Sequence, residues 1–461
     1  MTLIIIFSML SPANVLILGE EKVDPLDGGK DVEPLGTIGW NTLGRMDEAI
    51  VITANQVPDL IGTPVNSTDV FSFDNDILVY AWDGSTGTWK QIPFQVDERN
   101  STTGSYGVNN SDGVLDGNDE IVFMSQDAGD QASSNEWVVS CGAPRYEVEI
   151  TDPDTGDSAW AYIYKSFSIE AGFTEDYVRF DTVTDEVFTE SYTMGFRDGV
   201  GMVVDYFNVT EAKGGDGEDL VDTLEFEAIA TLGPFVIPYD ENDLGSDFTL
   251  KKDGYVRALG VVSWHIYENI MGIIVDAYFN FTWRFYPEHV NASGYLDIYI
   301  DGPIVVNISI ALDHTNTSIP MDYRDSGGNT AVINGTEDDN IVNTDVQEWW
   351  EVSSPHGGYV CVWNIDLQCN SSKLKFDDNS SAADHVNAEP GLYGRTGGLF
   401  ANITHDQLSY ANISFFPIAS NVSGVAEAIA YNVTNPLLIT ATAQHSPTIW
   451  VAKGVDVTSA K

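Results

Sequence analysis

The residues best suited to chemistry form an acidic stretch between Val108 and Glu120. Its sequence, Val-Asn-Asn-Ser-Asp-Gly-Val-Leu-Asp-Gly-Asn-Asp-Glu, places oxygen-bearing side chains at positions 3, 5, 9 and 12 and glycine at position 6. Calcium takes about six to eight oxygen ligands, and a glycine at the sixth position permits the sharp turn that lets such ligands converge. The pattern predicts a Ca²⁺ site, and the alternative is a solvated turn between two strands. The predicted ligands are Asn110, Asp112, Asp116, Asp119 and Glu120.

This stretch resembles the calcium loop of dockerin and EF-hand modules over about a dozen residues. It departs from that pattern at its first position, where Val108 replaces the usual Asp. The adjoining helix is replaced by the strand-like run Ile121-Val122-Phe123-Met124. The resemblance therefore implies calcium ligation inside a β-protein rather than a helix–loop–helix unit.

The charge of the chain restricts its partners. The 461 residues include 70 Asp and Glu against 20 Lys and Arg, a net charge of −50, while 43% of residues are hydrophobic and 11% aromatic. A folded core is therefore expected, since disordered acidic segments lack aromatic residues. Nucleic acid is excluded as a partner, because phosphate binding needs a basic surface. The acidity has three candidate explanations, which are cation ligation, hydration in high salt, and solubility.

Two features predict an extracellular or cell-surface location. Residues 1–20 contain a short apolar run followed by small and polar residues, like a signal peptide, and no stretch is apolar for long enough to span a bilayer. The chain also contains fifteen Asn-x-Ser/Thr sequons, more than chance would supply, which predict N-glycosylation. The sequon asparagines are Asn66, Asn100, Asn109, Asn208, Asn280, Asn291, Asn307, Asn316, Asn334, Asn370, Asn379, Asn402, Asn412, Asn421 and Asn432.

The cysteines are compatible with an oxidising compartment. Cys361 and Cys369 lie close enough in sequence to close a small disulfide loop. Cys141 is left over, and it is either a buried apolar residue or the partner of an intermolecular bridge.

Hydrophobic residues alternate with a period of two, which is typical of half-buried antiparallel strands. From Val275 to Phe285 the odd-numbered residues are apolar, and Asn280 lies on the opposite, polar face. Strands joined by turns rich in Gly, Asp, Asn and Pro predict an all-β fold of two or more mostly antiparallel β-sandwich domains with few short helices. We expect an N-terminal β domain at 35–165, carrying the acidic loop, and a larger β-sandwich at 170–461, divisible near 315–345. The first domain and the segment Lys252–Arg257 loosely resemble uncharacterised secreted β-sandwich surface proteins of archaea and bacteria.

Two segments are candidates for short helices, Asp345–Glu351 and Ser423–Ala430. The Trp349-Trp350-Glu351 run is expected to be core, although a sugar-stacking platform is the alternative. The sequence contains no HExxH, GxSxG or phosphate-loop motif, so it gives no catalytic signature.

The function that fits these features is that of a secreted, N-glycosylated, non-catalytic structural protein. It would be a surface-layer, adhesive or filament subunit with calcium-stabilised β domains. Its expected partners are further copies of itself or other surface proteins, and glycans. The rival function is a carbohydrate-active enzyme or carbohydrate-binding protein on a large β-sandwich.

Overall fold

The computed structural model describes most of the chain after residue 42. The described residues are 43–65, 77–106, 112–138, 141–166, 169, 172–197, 203–270, 272–316, 319–336, 340–343, 349–366, 372–378 and 393–446. The signal-like segment 1–20 lies outside them.

The largest element is a nine-stranded antiparallel sheet. Its strand order is β14-β15-β16-β17-β26-β23-β22-β19-β20. In chain order the strands are β14 (Gly245–Asp253), β15 (Ala258–Ile270), β16 (Ile273–Phe285), β17 (Val290–Ile300), β19 (Met321–Asp325), β20 (Thr330–Ile333), β22 (Trp349–Ser354), β23 (Gly357–Asp366) and β26 (Gln407–Ile418).

A six-stranded antiparallel sheet packs against one face of the nine-stranded sheet. Its order is β13-β12-β18-β25-β24-β21, and both sheets contribute to one large hydrophobic cluster. Phe226 and Phe279, one from each sheet, meet edge to face with ring centroids 5.4 Å apart, a favourable aromatic geometry. The two sheets therefore form a β-sandwich. The strands are β12 (Val221–Leu232), β13 (Phe235–Asp240), β18 (Val305–His314), β21 (Asn340–Asn343), β24 (Ser372–Asp377) and β25 (Arg395–Ile403).

A four-stranded sheet, in the order β11-β10-β9-β8, adds its apolar face to the same cluster. Phe196 packs edge to face against Trp283 at 6.0 Å between ring centroids. The strands are β8 (Val178–Asp181), β9 (Glu186–Thr189), β10 (Tyr192–Phe196) and β11 (Val204–Val209).

The N-terminal part contains a second pair of sheets around a separate core. A five-stranded sheet, β27-β6-β7-β2-β3, and a three-stranded sheet, β1-β5-β4, share this cluster. Strand β27 comes from the C-terminal end of the described chain, so the N-terminal sheet is completed by residues far away in sequence. The strands are β1 (Ala49–Thr53), β2 (Ile77–Asp83), β3 (Thr88–Gln91), β4 (Gln95–Asp97), β5 (Glu120–Met124), β6 (Arg145–Thr151), β7 (Ser158–Lys165) and β27 (Leu438–Gln444).

Helices are short and few among the described residues. One α-helix, α1 (Ala426–Thr434), precedes β27, and the 3₁₀ turns are Ala54–Gln56, Pro58–Leu60, Ser125–Asp127 and Glu241–Asp243. None of the helices in the described ranges combines the length and the apolarity that crossing a bilayer requires.

The structure confirms the all-β fold class and the alternation that predicted it. In β16 every odd-numbered residue from Val275 to Phe285 is buried, whereas Asn280 is exposed. The helix predicted at Ser423–Ala430 overlaps α1, but the prediction over Asp345–Glu351 was wrong where the structure describes it. Trp349–Ser354 is a strand, because it pairs on one side with β23 and on the other with β19. The division of the chain into domains near 165–170 stays a prediction.

Candidate functional site

The predicted calcium loop lies between β4 and β5, and the structure describes it from Asp112 onward. Asn110 lies outside the described residues. Gly113 adopts φ +75°, which glycine reaches without steric cost, and its N–H donates to Glu98 Oε1 at 3.0 Å. Asp112 Oδ1 accepts the Val114 N–H at 2.9 Å and so closes a local turn.

Asp119 lies at the centre of this loop. Its carboxylate is buried and accepts two backbone N–H groups, from Arg99 at 2.7 Å and from Asp116 at 2.6 Å. Burial, together with the smaller effect of the neighbouring charges of Glu98 and Asp116, outweighs the two hydrogen bonds and raises the pKa of Asp119 to about 6. A cation would relieve this repulsion, but no group of three or more metal-ligating side chains is assembled within the described part of the chain. Calcium binding therefore stays a prediction.

Glu120, the last predicted ligand, belongs to a buried charge network centred on Arg257. Arg257 donates to Glu120 Oε2 at 2.5 Å and to Asp97 Oδ2 at 2.9 Å. Glu120 also accepts from Arg99 at 2.9 Å and from the Tyr106 hydroxyl at 2.8 Å. The network joins the three-stranded sheet to the residue just before β15 of the nine-stranded sheet, and the sequence did not predict it.

The surface best suited to contact a ligand is part of the solvent face of the nine-stranded sheet, and we call this part the tyrosine face. Four adjacent strands, β15, β16, β17 and β26, place aromatic and acidic side chains side by side there. Its tyrosines are between 38% and 54% exposed. The tyrosine face consists of His265, Tyr267, Asp276, Tyr278, Tyr295, Asp297, Tyr299, Leu408 and Tyr410.

Strand pairing fixes the order of these side chains. Tyr295 lies directly opposite Tyr410, with ring centroids 5.3 Å apart. Tyr299 lies opposite Asp276. Because neighbouring strands are about 4.8 Å apart and each residue advances about 3.4 Å, four strands and five residues span about 14 Å in each direction.

One end of the tyrosine face is held rigid by its own contacts. The His265 ring stacks on Tyr278 with centroids 4.0 Å apart and an interplanar angle of 7°. The same imidazole meets Asp276 through Nε2 at 2.7 Å. The ring of Tyr278 is thereby held in place before any ligand arrives, which lowers the entropic cost of binding.

The same solvent face of the nine-stranded sheet also carries three sequon asparagines, Asn280, Asn291 and Asn412. Asn280 lies between Ser263 and Tyr295 on neighbouring strands, and its Oδ1 accepts the Ser263 hydroxyl at 2.7 Å. Asn291 differs, because its Nδ2 donates to Asn412 Oδ1 at 2.6 Å and to Ser414 Oγ at 3.0 Å. A sugar linked to Nδ2 of Asn291 would disturb these bonds.

Beyond these asparagines lies a cleft of about 540 Å³ between the sheet, residues 44–49 and helix α1. Its imidazole, His289, is stacked between Tyr286 and Phe416, and burial lowers the pKa of His289 to about 4. Glu288 is engaged by Lys213 Nζ at 2.5 Å. The cleft thus combines a neutral imidazole with an ion pair.

The remaining predicted residues are distributed over the fold. None of the sequon side chains that the structure describes is buried. Asn280, Asn316 and Asn421 are exposed, and those of intermediate burial are Asn100, Asn208, Asn291, Asn307, Asn334, Asn412 and Asn432. Asn66, Asn109, Asn370 and Asn379 lie outside the described residues, as does the side chain of Asn402.

The tryptophan and cysteine predictions have different outcomes. Trp349, Trp350 and Glu351 are buried, which confirms that they belong to the core. Cys361 is also buried, but Cys369 lies outside the described residues, so the disulfide stays a prediction.

Comparison with known proteins gives only distant likenesses. No protein-family model matches the chain, and no curated protein does. A solved glycosyl hydrolase family 38 protein from Enterococcus faecalis is similar with a TM-score of 0.48 and 8% identity, over 89% of this chain and 47% of that one. An alpha-mannosidase from Enterococcus faecalis V583 is similar with a TM-score of 0.40 and 10% identity, over 85% and 48%.

A third likeness covers a smaller part of the chain. Galactose 1-epimerase from Lactobacillus acidophilus NCFM is similar with a TM-score of 0.32 and 8% identity, over 54% of this chain and 100% of that one. The chain thus spans about half the length of the first two structures.

Proposed function

We propose that the protein is an exported, N-glycosylated adhesive protein that binds neutral glycans through the tyrosine face without chemical turnover. The observation that carries this proposal is the row of exposed tyrosines across four adjacent strands. The C–H face of a pyranose ring is apolar and matches the flat face of a phenol ring, so exposed tyrosines offer stacking surface to sugars.

The polar groups between the rings suit sugar hydroxyls. Asp276 and Asp297 are carboxylates, which accept hydrogen bonds from hydroxyl groups, and each phenol can donate and accept. The charge of the protein disfavours anionic ligands, because a net charge of −50 repels polyuronates and sulfated glycans. The ligand class that remains is a neutral glycan.

The exposure of the face favours binding over turnover. A glycosidase holds the scissile bond between its two carboxyl groups, whereas Asp276 and Asp297 are diagonal neighbours on one exposed sheet surface. The exposure of the sequon side chains supports export, since a glycan attached at a buried position would not be accommodated.

The binding test uses protein made without N-glycans, because a sugar on Asn280 would cover the tyrosine face. Calorimetry with neutral oligosaccharides is expected to detect binding that Tyr295→Ala and Tyr410→Ala each weaken about tenfold, which is ~1.4 kcal/mol. Tyr295→Phe should bind like the wild type if the ring face makes the contact. Tyr431→Ala is the matched control, since Tyr431 is 44% exposed but lies on α1. Full binding by both alanine variants, or no binding by the wild type to any neutral glycan, would refute the proposal.

Glycosylation is tested separately by glycopeptide mass spectrometry after secretion from a glycosylating host. We expect sugar at the exposed Asn316 and Asn421, which lie away from the tyrosine face, and little at Asn291, whose Nδ2 is engaged. Bare sequons at both of these exposed positions would contradict export through a glycosylating pathway.

A further inference from the structure

Among the residues that the structure describes, strand β27 (Leu438–Gln444) is an edge of the five-stranded sheet. It pairs with β6 on one side, from Leu438 opposite Thr151 to Gln444 opposite Arg145, and it is the last strand in the sheet order on the other. An edge strand presents a row of backbone N–H and C=O groups that can pair with another strand.

The core under β27 is incompletely covered. Ile439 and Ala441 pack against the N-terminal hydrophobic cluster, yet both remain of intermediate burial. Their partners on β6, Ile150 and Val148, are fully buried. A further strand beside β27 would remove more of Ile439 and Ala441 from water, which is favourable.

The edge also lacks the features that usually prevent strand addition. Natural edge strands are protected by charges, proline or short length. Among the edge strands that the structure describes, β27 is the one longer than five residues that contains neither a charged residue nor proline. For comparison, β14 contains Lys251 and Lys252, β13 contains Pro238 and β11 contains Asp205.

The absence of charge extends well beyond the strand. Between Asp406 and Lys453 the only Asp, Glu, Lys or Arg is Glu427, in a chain in which 20% of residues are charged. Two copies that each carry −50 repel one another over most of their surface. A neutral edge is therefore a place where they can approach closely.

We infer that β27 pairs antiparallel with β27 of a second copy, about a twofold axis at Ala441. In this register Leu438 faces Gln444, Ile439 faces Ala443 and Thr440 faces Thr442 of the other copy. Opposed threonines are favourable cross-strand pairs. The two five-stranded sheets become one ten-stranded sheet, and the twofold symmetry is the commonest arrangement of homodimers.

Electrostatics permits this pairing at moderate salt. The nearest acidic side chains on neighbouring strands are Glu147 and Glu149 of β6. The two β6 strands would be three strand spacings apart, about 14 Å. That separation exceeds the Debye length of about 8 Å at physiological ionic strength, so their repulsion is largely screened. Association should therefore strengthen as salt is raised.

The test measures the oligomeric state of the full chain by sedimentation at about 0.02 and 0.5 M sodium chloride. We expect dimer at the higher salt and mostly monomer at the lower. The double variant Thr440→Asp with Thr442→Asp places like charges opposite one another and should abolish the dimer at both salts. The variant Thr440→Lys with Thr442→Asp places opposite charges in each cross-strand pair and should retain it.

Thr88→Asp serves as the matched control, because Thr88 is an exposed threonine on β3, the opposite edge of the same sheet. Thermal melts establish that each variant is folded. A monomer at both salts, or a dimer that survives the aspartate pair, overturns the inference. So does a chain that dimerises only after removal of residues 447–461, since the edge would then be occupied within one copy. None of these outcomes depends on glycan binding.

Discussion

Replacing Arg257 by leucine should cause a large loss of stability, because Arg257 is the cation of the buried charge network. Its side chain is 1% exposed, and its guanidinium contacts Asp97 and Glu120. It also donates to the Tyr286 hydroxyl at 2.7 Å. Leucine fills part of the volume but leaves two buried carboxylates without their shared cation.

The size of the stability loss depends on the hydrogen-bond and ion-pair partners that each carboxylate keeps after Arg257 is replaced. Asp97 keeps Lys252 Nζ at 3.3 Å and Gln95 Nε2 at 2.8 Å. Glu120 keeps Arg99 and Tyr106. Breaking a buried ion pair by removing one partner costs about 3–5 kcal/mol, and the retained partners place Arg257→Leu toward about 3 kcal/mol. Asp97→Asn should cost less, because Arg257 still has Glu120.

The assay is equilibrium unfolding by denaturant of the wild type, Arg257→Leu, Asp97→Asn and the double variant. The double variant should lose less stability than the two single losses added together, since both remove the same interaction. A loss below about 1 kcal/mol for Arg257→Leu would refute the network as a junction between sheets. Arg257→Lys is the conservative control, since lysine keeps the positive charge but lacks the planar guanidinium that can donate to two carboxylates at once.

The pH dependence gives a second readout. Burial opposes ionisation of Asp97, but Arg257 and Lys252 outweigh it, so the folded-state pKa of Asp97 is lowered. A lowered pKa contributes stability that is present above the unfolded pKa, ~3.9, and is lost as the pH falls through the folded value. The difference between wild type and Arg257→Leu should therefore be largest at neutral pH and shrink in acid.

Two further predictions concern other carboxylates. Burial raises the pKa of Asp313 to about 7, and a raised carboxyl pKa costs stability progressively as the pH rises from the unfolded pKa, ~3.9, to the folded value, with the full cost present above it. Asp313→Asn should therefore make the protein more stable than the wild type above pH 7 and leave it similar below the unfolded pKa, ~3.9. Urea unfolding at several pH values checks this, and equal stability at high pH would contradict it. If the loop around Asp119 holds Ca²⁺, a calcium chelator should lower the melting temperature of the protein more than sodium chloride at matched ionic strength does. Asp119→Asn should remove this difference between chelator and salt. A melting temperature that responds to salt alone would favour halophilic adaptation instead.

Sequence patterns predicted single strands well because period two is a local property. One alternating run predicts both the burial of the odd-numbered residues from Val275 to Phe285 and the exposure of Asn280. The tyrosine face could not be predicted in the same way. Within β17, Tyr295 and Tyr299 occupy the polar positions of an ordinary alternation. Only the pairing of β17 with β26 brings Tyr410 beside Tyr295, and that pairing joins residues more than a hundred positions apart.

The Arg257 network was missed for the same reason. Both of its halves were visible as polar segments, one around Asp97 and one from Lys252 to Arg257. The structure pairs Asp97 with Arg257 and Lys252, because β4 lies against the segment that joins β14 to β15.

The placement of the cations explains how so acidic a chain folds and what it can contact. Arg257, Arg395 and Lys375 are buried beside carboxylates, where they offset charges that burial would otherwise make costly. Using scarce Lys and Arg in this way leaves the outer surface strongly acidic. Long-range repulsion then opposes anionic partners and further copies alike, except where the surface carries little charge of its own. Strand β27 meets that condition with a neutral backbone edge. The tyrosine face carries Asp276 and Asp297, and it avoids the repulsion in another way, by offering its ring faces to an uncharged ligand.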